Sequence, residues 1–239
     1  MIRNSFLIIT LMIFAGCGQK DQTTSQLNRI IGENNLVAVD SSYSSRIINA
    51  IGRLRVGCTV THVGQGLVVT AGHCFFDKTF EGRAEHRSCG ENKFEVEWGV
   101  LTGSPRFMLS HCSEIVAAEY RGGIDYTIFR VEPYPASFLA ISEQEIRHGE
   151  RISIFSHPRR RPLEWSGFCE AKGLSSYNDS QFGYECDTDG GSSGAAILNE
   201  GNEIVGIHNF YNSLDNLNGG TSVTQTPLLY LARLQVSRS

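Results

Sequence analysis

Short runs of β-branched residues, separated by turn residues, constrain the fold of this 239-residue chain more than any other pattern. Glycine is frequent, with 25 residues, whereas helical periodicity is largely absent. Short strands at such spacing are typical of antiparallel barrels or sandwiches. The runs within about 45–135, of which the first predicts a strand over 46–56, and those within 142–225 predict two antiparallel β-barrels in an all-β fold. Thr226 and Pro227 suit the start of a C-terminal helix over about 226–236.

The N-terminal segment predicts export. Arg3 precedes an apolar run that is too short to remain as a membrane span, which is typical of a signal peptide over 1–16. The stretch ending at Cys17 resembles the lipobox of bacterial lipoproteins, so we expect Cys17 to be lipidated. The alternative is an ordinary cleaved signal that leaves Cys17 as a thiol. Polar residues 17–29 predict a tether before a domain over 30–239.

Charge and hydropathy exclude several kinds of partner. The net charge is −4, and loss of the signal peptide with its one charge, Arg3, gives −4 − 1 = −5. No basic cluster indicates a nucleic acid. No later apolar run is long enough to span a membrane, so lipid on Cys17 is the only membrane contact we expect.

Six cysteines follow Cys17, and an even number in an exported chain predicts disulfides, although fifteen pairings are possible. The alternative is a zinc site, since His86 lies near Cys89 and His111 is adjacent to Cys112. An adjacent pair is poorly spaced for ligation, so we expect no metal. The six are Cys58, Cys74, Cys89, Cys112, Cys169 and Cys186.

Three separated segments carry groups suited to nucleophilic hydrolysis. His73 lies in Thr-Ala-Gly-His-Cys, Asp125 follows it, and Ser193 lies in a glycine-rich loop. A serine hydroxyl needs a base, and the base needs an acid that orients it. Gly191 and Gly194 allow the unusual backbone angles with which N–H groups can face a developing oxyanion.

Together these segments resemble the chymotrypsin-like serine proteases. The residues that carry the likeness are Val-Val-Thr-Ala-Gly-His-Cys over 68–74, Ile-Asp-Tyr-Thr-Ile-Phe over 124–129 and Gly-Ser-Ser-Gly over 191–194. The likeness extends over about 46–209. It implies two six-stranded antiparallel β-barrels, a polypeptide substrate and no cofactor, and we expect a monomer.

The resemblance also implies the role of each residue. His73 is then the general base, Asp125 orients it, and Ser193 attacks the scissile carbonyl. The backbone N–H groups of Gly191 and Ser193 form the oxyanion hole. The family disulfide that clips the histidine loop matches Cys58 and Cys74. Two further pairs follow, Cys169–Cys186 because these bracket the loop before the serine, and Cys89–Cys112 by elimination.

The same region resembles the bacterial glutamyl endopeptidases, in which a threonine and a histidine face the specificity pocket. Thr188 and His208 occupy those places. A hydroxyl and an imidazole can donate hydrogen bonds to a carboxylate, so we expect a preference for Glu or Asp before the scissile bond. The alternative is that His208 packs against the wall of a pocket with another preference.

Other interpretations compete with this one. Ser192 also fits the Gly-x-Ser-x-Gly elbow of α/β-hydrolases, but only His208 follows it, too near in sequence to complete such a triad. Arg-Ile-Ile-Gly over 29–32 resembles a trypsin activation site, yet Ser192 stands where trypsins have aspartate; an ordinary N-terminal strand is the alternative. A catalytically silent homologue would bind a peptide or surface partner, but the intact triad favours an exported serine endopeptidase, anchored in the cell envelope or secreted.

Overall fold

The computed structural model describes residues 29–76, 82–90, 94–104, 106–174 and 180–236. The predicted signal peptide, Cys17 and the tether up to residue 28 lie outside the described residues.

Two closed antiparallel barrels account for almost all of the described chain. A two-residue strand and a short helix, β1 (Val37–Ala38) and α1 (Ser45–Ala50), precede the first barrel. Its strands are β2 (Ile51–Leu54), β3 (Thr59–Gly64), β4 (Leu67–Thr70), β5 (Gly82–Ser88), β6 (Glu95–Trp98), β7 (Met108–Arg121) and β8 (Ile124–Glu132). Six of them close in the order β2-β3-β4-β8-β7-β6, and β5 pairs with the later part of β7, over 114–120.

The second barrel is built in the same way. Its strands are β9 (His148–Ser156), β10 (Glu164–Leu174), β11 (Gln181–Tyr184), β12 (Ala196–Asn199), β13 (Ile204–Asn212) and β14 (Leu217–Ser222). They close in the order β9-β10-β11-β14-β13-β12, with β1 added beside β10. The helix α2 (Leu228–Val236) follows, and the Thr226 hydroxyl accepts the N–H of Leu228 at its start. The all-β prediction of two six-stranded barrels with a C-terminal helix is confirmed.

The strand sequences are nearly continuous in apolar residues because many strands are covered on both faces. Val68 packs inside the first barrel with Trp98, whereas its neighbour Val69 packs in a cluster that both barrels share. Ile197 and Leu198 divide in the same way in the second barrel. Successive side chains of a strand point to opposite faces, so such strands lose the alternation of a half-exposed sheet.

One predicted strand is wrong in its first half. The sequence predicts a strand over 46–56, but α1 occupies its beginning and the strand starts only at Ile51. Ile47 and Ile48 are β-branched and favour a strand locally, yet both are buried in the cluster between the barrels. A helix of six residues is too short to reveal its periodicity. Among the described residues, no helix combines the length and apolar character needed to cross a membrane.

Candidate active site

His73 and Asp125 meet because β4 and β8 are neighbouring strands, with Thr70 opposite Thr127. His73 lies in the 3-10 turn after β4, and Asp125 lies at the start of β8. The Nδ1 atom of His73 is 2.7 Å from Oδ2 of Asp125, and the backbone N–H of His73 donates to Oδ1 at 2.9 Å. An ionised carboxylate only accepts, so Nδ1 carries the hydrogen and Nε2 of the neutral ring is left as a base.

The absence of a side chain at residue 72 permits this approach. A Cβ atom on Gly72 would lie 2.7 Å from the carbonyl oxygen of Glu119 and 3.0 Å from Oδ1 of Asp125. The first contact is shorter than real Cβ atoms show and the second is very tight, so a larger residue would push the histidine turn away from the carboxylate. The Ala-Gly-His order therefore has a steric cause.

Groups of the second barrel hold the main chain of Asp125. Its N–H donates to Oγ1 of Thr221 at 3.2 Å, and Nδ2 of Asn209 donates to its carbonyl oxygen at 2.8 Å. Asn209 also donates to Thr221, at 2.9 Å. Asp125 is consequently only 8% exposed. Sequence reasoning missed both residues; the position of Asn209 directly after His208 is the only signal that could have indicated one of them.

The two adjacent serines have different surroundings. Oγ of Ser192 is buried, 2.9 Å from Oγ of Ser156, and it accepts the N–H of Asp189. The Ser193 hydroxyl has no hydrogen-bond partner in the part of the chain that the structure describes, so it does not bond to His73 here. Ser192 is thus an internal structural group, and Ser193 is the serine whose hydroxyl is available.

Close packing places Ser193 beside the histidine turn. Its carbonyl oxygen accepts the N–H of Thr59, at the start of β3, at 2.9 Å and lies 3.9 Å from Sγ of Cys74. The next residue, Gly194, has a φ of 85°. A Cβ there would lie 2.5 Å from the carbonyl oxygen of Thr59 and 2.8 Å from the nitrogen of Ala71. Glycine is therefore required where the serine loop touches the first barrel.

Alternate N–H groups of the serine loop are left unpaired. Ser192 N donates to the Asp189 carbonyl at 2.9 Å, and Gly194 N donates to the His208 carbonyl at 2.7 Å. In the described chain, the N–H groups of Gly191 and Ser193 have no protein acceptor. Two free N–H groups, one on Ser193 itself and one on the residue two positions before it, can bind a negatively charged oxygen.

Thr59 connects the serine loop to two other segments, and sequence reasoning missed it. Its hydroxyl donates to the carbonyl oxygen of Gly191 at 2.9 Å and accepts the N–H of His157 at 3.0 Å. Its own N–H binds the Ser193 carbonyl. One residue of the first barrel thus fixes both ends of the segment that carries the unpaired N–H groups.

Thr188 and His208 both contact β14, at neighbouring residues. The hydroxyl of the buried Thr188 donates to Oδ1 of Asn218 at 2.9 Å. Nδ1 of His208 lies 3.2 Å from the carbonyl oxygen of Gly219 and in contact with the Tyr184 hydroxyl, whereas its buried Nε2 has no partner among the described residues. Burial and then the positive charge of Arg29 hold the pKa of His208 well below its usual range, so the ring is neutral.

A cavity of about 570 Å³ lies between the barrels. His73 and Asp125 line it from the first barrel, and Asn209 and Phe210 line it from the second. Arg29, which the sequence places at the end of the tether, also lines it. A peptide in this cavity would contact the histidine, the carboxylate's surroundings and the end of β13.

The three predicted disulfides are present: Cys58–Cys74, Cys89–Cys112 and Cys169–Cys186. The first connects the start of β3 to the turn that carries His73. His86 binds a carboxylate oxygen of Glu114 at 2.7 Å. Three disulfides are characteristic of an oxidising environment outside the cytosol.

Known proteins share sequence and fold features with this chain. The profile of the trypsin-like peptidase domain matches residues 57–207. A Glu endopeptidase solved with MPD is 18% identical, with a TM-score of 0.65, 88% of this chain covered and 100% of that chain. The active form of the Rv3671c protease from M. tuberculosis is 11% identical, with a TM-score of 0.56, 80% of this chain covered and 87% of that one. No curated protein sequence is significantly similar.

The two solved structures share the fold, and the matching profile extends from the residue before Cys58 to the residue before His208, including His73, Asp125 and Ser193. The chain therefore belongs to the trypsin-like peptidase family of serine endopeptidases.

Proposed function

We propose that the chain is an exported serine endopeptidase in which His73, Asp125 and Ser193 form the catalytic triad. The observation that carries the proposal is the double contact of Asp125 with the ring and the main chain of His73. This contact holds one tautomer and one orientation, in which Nε2 is the free base. Ser193 reaches hydrogen-bonding distance of Nε2 as the substrate closes the cleft, since catalytic hydrogen bonds are often long before substrate binds.

The proposed reaction proceeds through an acyl-enzyme. Ser193 Oγ attacks the scissile carbonyl carbon while its proton moves to Nε2 of His73. The N–H groups of Gly191 and Ser193 stabilise the oxyanion, and Asp125 stabilises the imidazolium. Collapse of the resulting tetrahedral intermediate breaks the scissile C–N bond, and the leaving amine takes the proton from His73. Water then attacks the ester carbonyl while His73 takes its proton, and the C–O bond breaks as His73 gives that proton to Oγ of Ser193, which releases the acid product.

The specificity we propose is for Glu or Asp before the scissile bond. If Tyr184 donates its hydroxyl hydrogen to Nδ1 of His208, the imidazole hydrogen is on Nε2, which has no acceptor among the described residues. The ring is fully buried, so a substrate carboxylate accepts that hydrogen once the side chains that cover the ring move aside. Thr188 contributes its hydroxyl only by exchanging Asn218 Oδ1 for the substrate, because its one hydrogen is already donated.

Export and anchoring complete the proposal. Residues 1–16 act as the signal peptide, lipid is attached to Cys17, and a tether up to residue 29 leads to the protease domain over 30–239. The three disulfides support an exported location. Metabolic labelling with a radioactive fatty acid tests the anchor: label should enter the exported chain and be lost in Cys17→Ser, and label that persists in this variant would contradict it.

The two serines provide a matched test of the chemistry. In the purified exported protein, Ser193→Ala should lower kcat/KM for peptide hydrolysis by at least about 10⁴-fold, while Ser192→Ala should stay within about tenfold of the wild type. A profile of cleavage sites should then show Glu and Asp before the bond, less strongly in His208→Ala. Activity that survives Ser193→Ala would contradict the triad. A folded wild type without any hydrolysis would indicate a silent homologue.

A further inference from the structure

Arg29 has a side-chain environment that is costly without a ligand. Arg29 lines the cavity between the barrels, and its Nη1 atom is buried with no hydrogen-bond partner among the described residues. A buried cationic nitrogen that makes no hydrogen bond loses its hydration without compensation. An anionic group in the cavity would remove this cost.

The main chain of Arg29 is fixed to the second barrel. Its carbonyl oxygen accepts the N–H of Thr188 at 3.2 Å and Nδ2 of Asn218 at 2.8 Å. The buried carboxylate of Asp187 accepts the N–H groups of Ile31 and Asn35, both at 2.7 Å. Four hydrogen bonds thus hold this segment against the loop before Ser193 and against β14, so the guanidinium has a defined position.

Among the described residues, no carboxylate forms an ion pair with Arg29. Its positive charge acts on Tyr184 and on His208, which is neutral. Asp189 is also near, but its carboxylate binds Nε of Arg159 at 2.6 Å and the N–H of Gly190 at 2.8 Å. Burial lowers the pKa of Arg29 from its ordinary value, and a guanidinium stays protonated at neutral pH even so.

We propose that Arg29 is a specificity-determining residue of the protease, whose guanidinium binds the carboxylate of a Glu or Asp side chain before the scissile bond. The inference rests on the proposed function. Arg29 supplies the charge that the neutral His208 lacks, and Nε2–H of His208 supplies a second hydrogen bond. An arginine that can bind a carboxylate through two N–H groups discriminates against a Gln side chain, which is neutral, and against a Lys side chain, which is positively charged.

The proposal changes the meaning of the Arg29–Ile30 bond. Cleavage there would remove the guanidinium from the chain, so the acidic preference requires a mature protein that retains Arg29. Mass spectrometry of the purified exported protein should find an N-terminus at or before residue 29. An active protein that begins at Ile30 and still prefers Glu would overturn the proposal.

The direct test compares two peptides that differ only in Glu or Gln before the scissile bond. The ratio of their kcat/KM values should fall at least about tenfold in Arg29→Gln, through loss of the Glu peptide alone, and Arg29→Lys should recover part of it. Arg121→Gln is the matched control, because Arg121 lines the same cavity but binds Glu119 at 2.8 Å. Its ratio should equal that of the wild type.

The outcomes separate this proposal from the function on which it rests. A fluorophosphonate that labels Ser193 reports the triad without any acidic side chain. No labelling and no hydrolysis would remove the proposed function itself. Normal labelling with an unchanged Glu/Gln ratio in Arg29→Gln would overturn only the role of Arg29. A rise in kcat/KM for both peptides would also overturn it, since Arg29 would then obstruct the pocket.

Discussion

The histidine–aspartate pair and its neighbours Arg29 and His208 differ in how many of their polar atoms are hydrogen-bonded. Both carboxylate oxygens of Asp125 are hydrogen-bonded to His73, and its main chain is bound by Asn209 and Thr221. Beside the pair, Nη1 of Arg29, a residue that lines the cavity, and Nε2 of the fully buried His208 have no partners among the described residues. Saturated hydrogen bonds hold a reacting group in one orientation, whereas unsaturated ones leave binding capacity for a ligand.

Unpaired polar atoms also occur away from the cavity, which makes the comparison testable. Within the described chain, Oγ1 of Thr61, Oγ1 of Thr127 and Nε2 of His157 are buried without partners. None of these three residues lines the cavity between the barrels. They should therefore cost stability without contributing to activity, unlike Nη1 of Arg29 and Nε2 of His208.

The largest expected effect concerns the saturated pair. Asp125→Asn should lower kcat/KM by about 10⁴-fold, because a neutral amide neither holds the Nδ1–H tautomer nor stabilises the imidazolium. A cooperative urea-unfolding transition should confirm that the Asp125→Asn variant is folded. A loss of less than about tenfold in a folded variant would break the assignment of Asp125.

Next in size is the loss of the Thr59 hydroxyl. Thr59→Val should destabilise the protein by about 2 kcal/mol, since it leaves the Gly191 carbonyl and the His157 N–H unpaired. Thr61→Val, on the same strand, removes a buried hydroxyl that has no partner and should be neutral or stabilising. Urea unfolding of both variants measures the difference; equal destabilisation would contradict the comparison.

The acid side of the stability profile tests His157. Burial lowers its pKa to about 4, against 6.5 for an ordinary histidine. Between these values the unfolded chain binds more protons than the folded one, so the free energy of unfolding rises with pH across this window. Protonation of the unfolded form should cost about 2 kcal/mol of stability between pH 7 and pH 5.

The measurement is urea unfolding at pH 7 and pH 5. His157→Gln should reduce the pH dependence by that amount, while His148→Gln, at an exposed position of β9, should keep that of the wild type. Identical profiles for the two variants would show that His157 titrates normally. His62 and His208, whose pKa values burial also lowers, add to the wild-type slope with the same sign.

The smallest effect is expected from Tyr184→Phe. Without the hydroxyl, Nδ1 of His208 donates to the Gly219 carbonyl, and Nε2 loses its hydrogen. The Glu/Gln ratio of kcat/KM should fall about fivefold, which is about 1 kcal/mol. The matched control is Tyr211→Phe, since the Tyr211 hydroxyl binds Asn216 at an exposed position of the β13–β14 hairpin. This variant should leave the ratio unchanged. A fall of equal size in both variants would remove this tautomer argument.

The residues named by local motifs could be predicted from the sequence, whereas their tertiary partners could not. The motifs around His73, Asp125 and Ser193 are short and stand in the order His, Asp, Ser, so they can be read without knowledge of the fold. The spacing of the short strands likewise predicts the two barrels. Thr59 and Thr221 carry no local signal, because each hydrogen-bonds to a group that lies more than 90 residues away along the chain.

The pocket illustrates the same limit. Thr188 was predicted to face the substrate, but only the fold reveals that Asn218 takes its hydrogen. Arg29 resembles a processing site when read locally, and its place in the cavity depends on the bridge to Thr188. A sequence does not reveal which buried polar atoms lack a hydrogen bond, because this depends on the positions of all the groups around each atom in the fold.

The most direct test of the account is to map the residue that a fluorophosphonate labels in the folded, exported protein. Mass spectrometry of the labelled peptide should place the adduct on Oγ of Ser193. Labelling should persist in Ser192→Ala and disappear in Ser193→Ala and in His73→Ala. An adduct on Ser192, or labelling that survives Ser193→Ala, would contradict the central claim that Ser193 is the nucleophile.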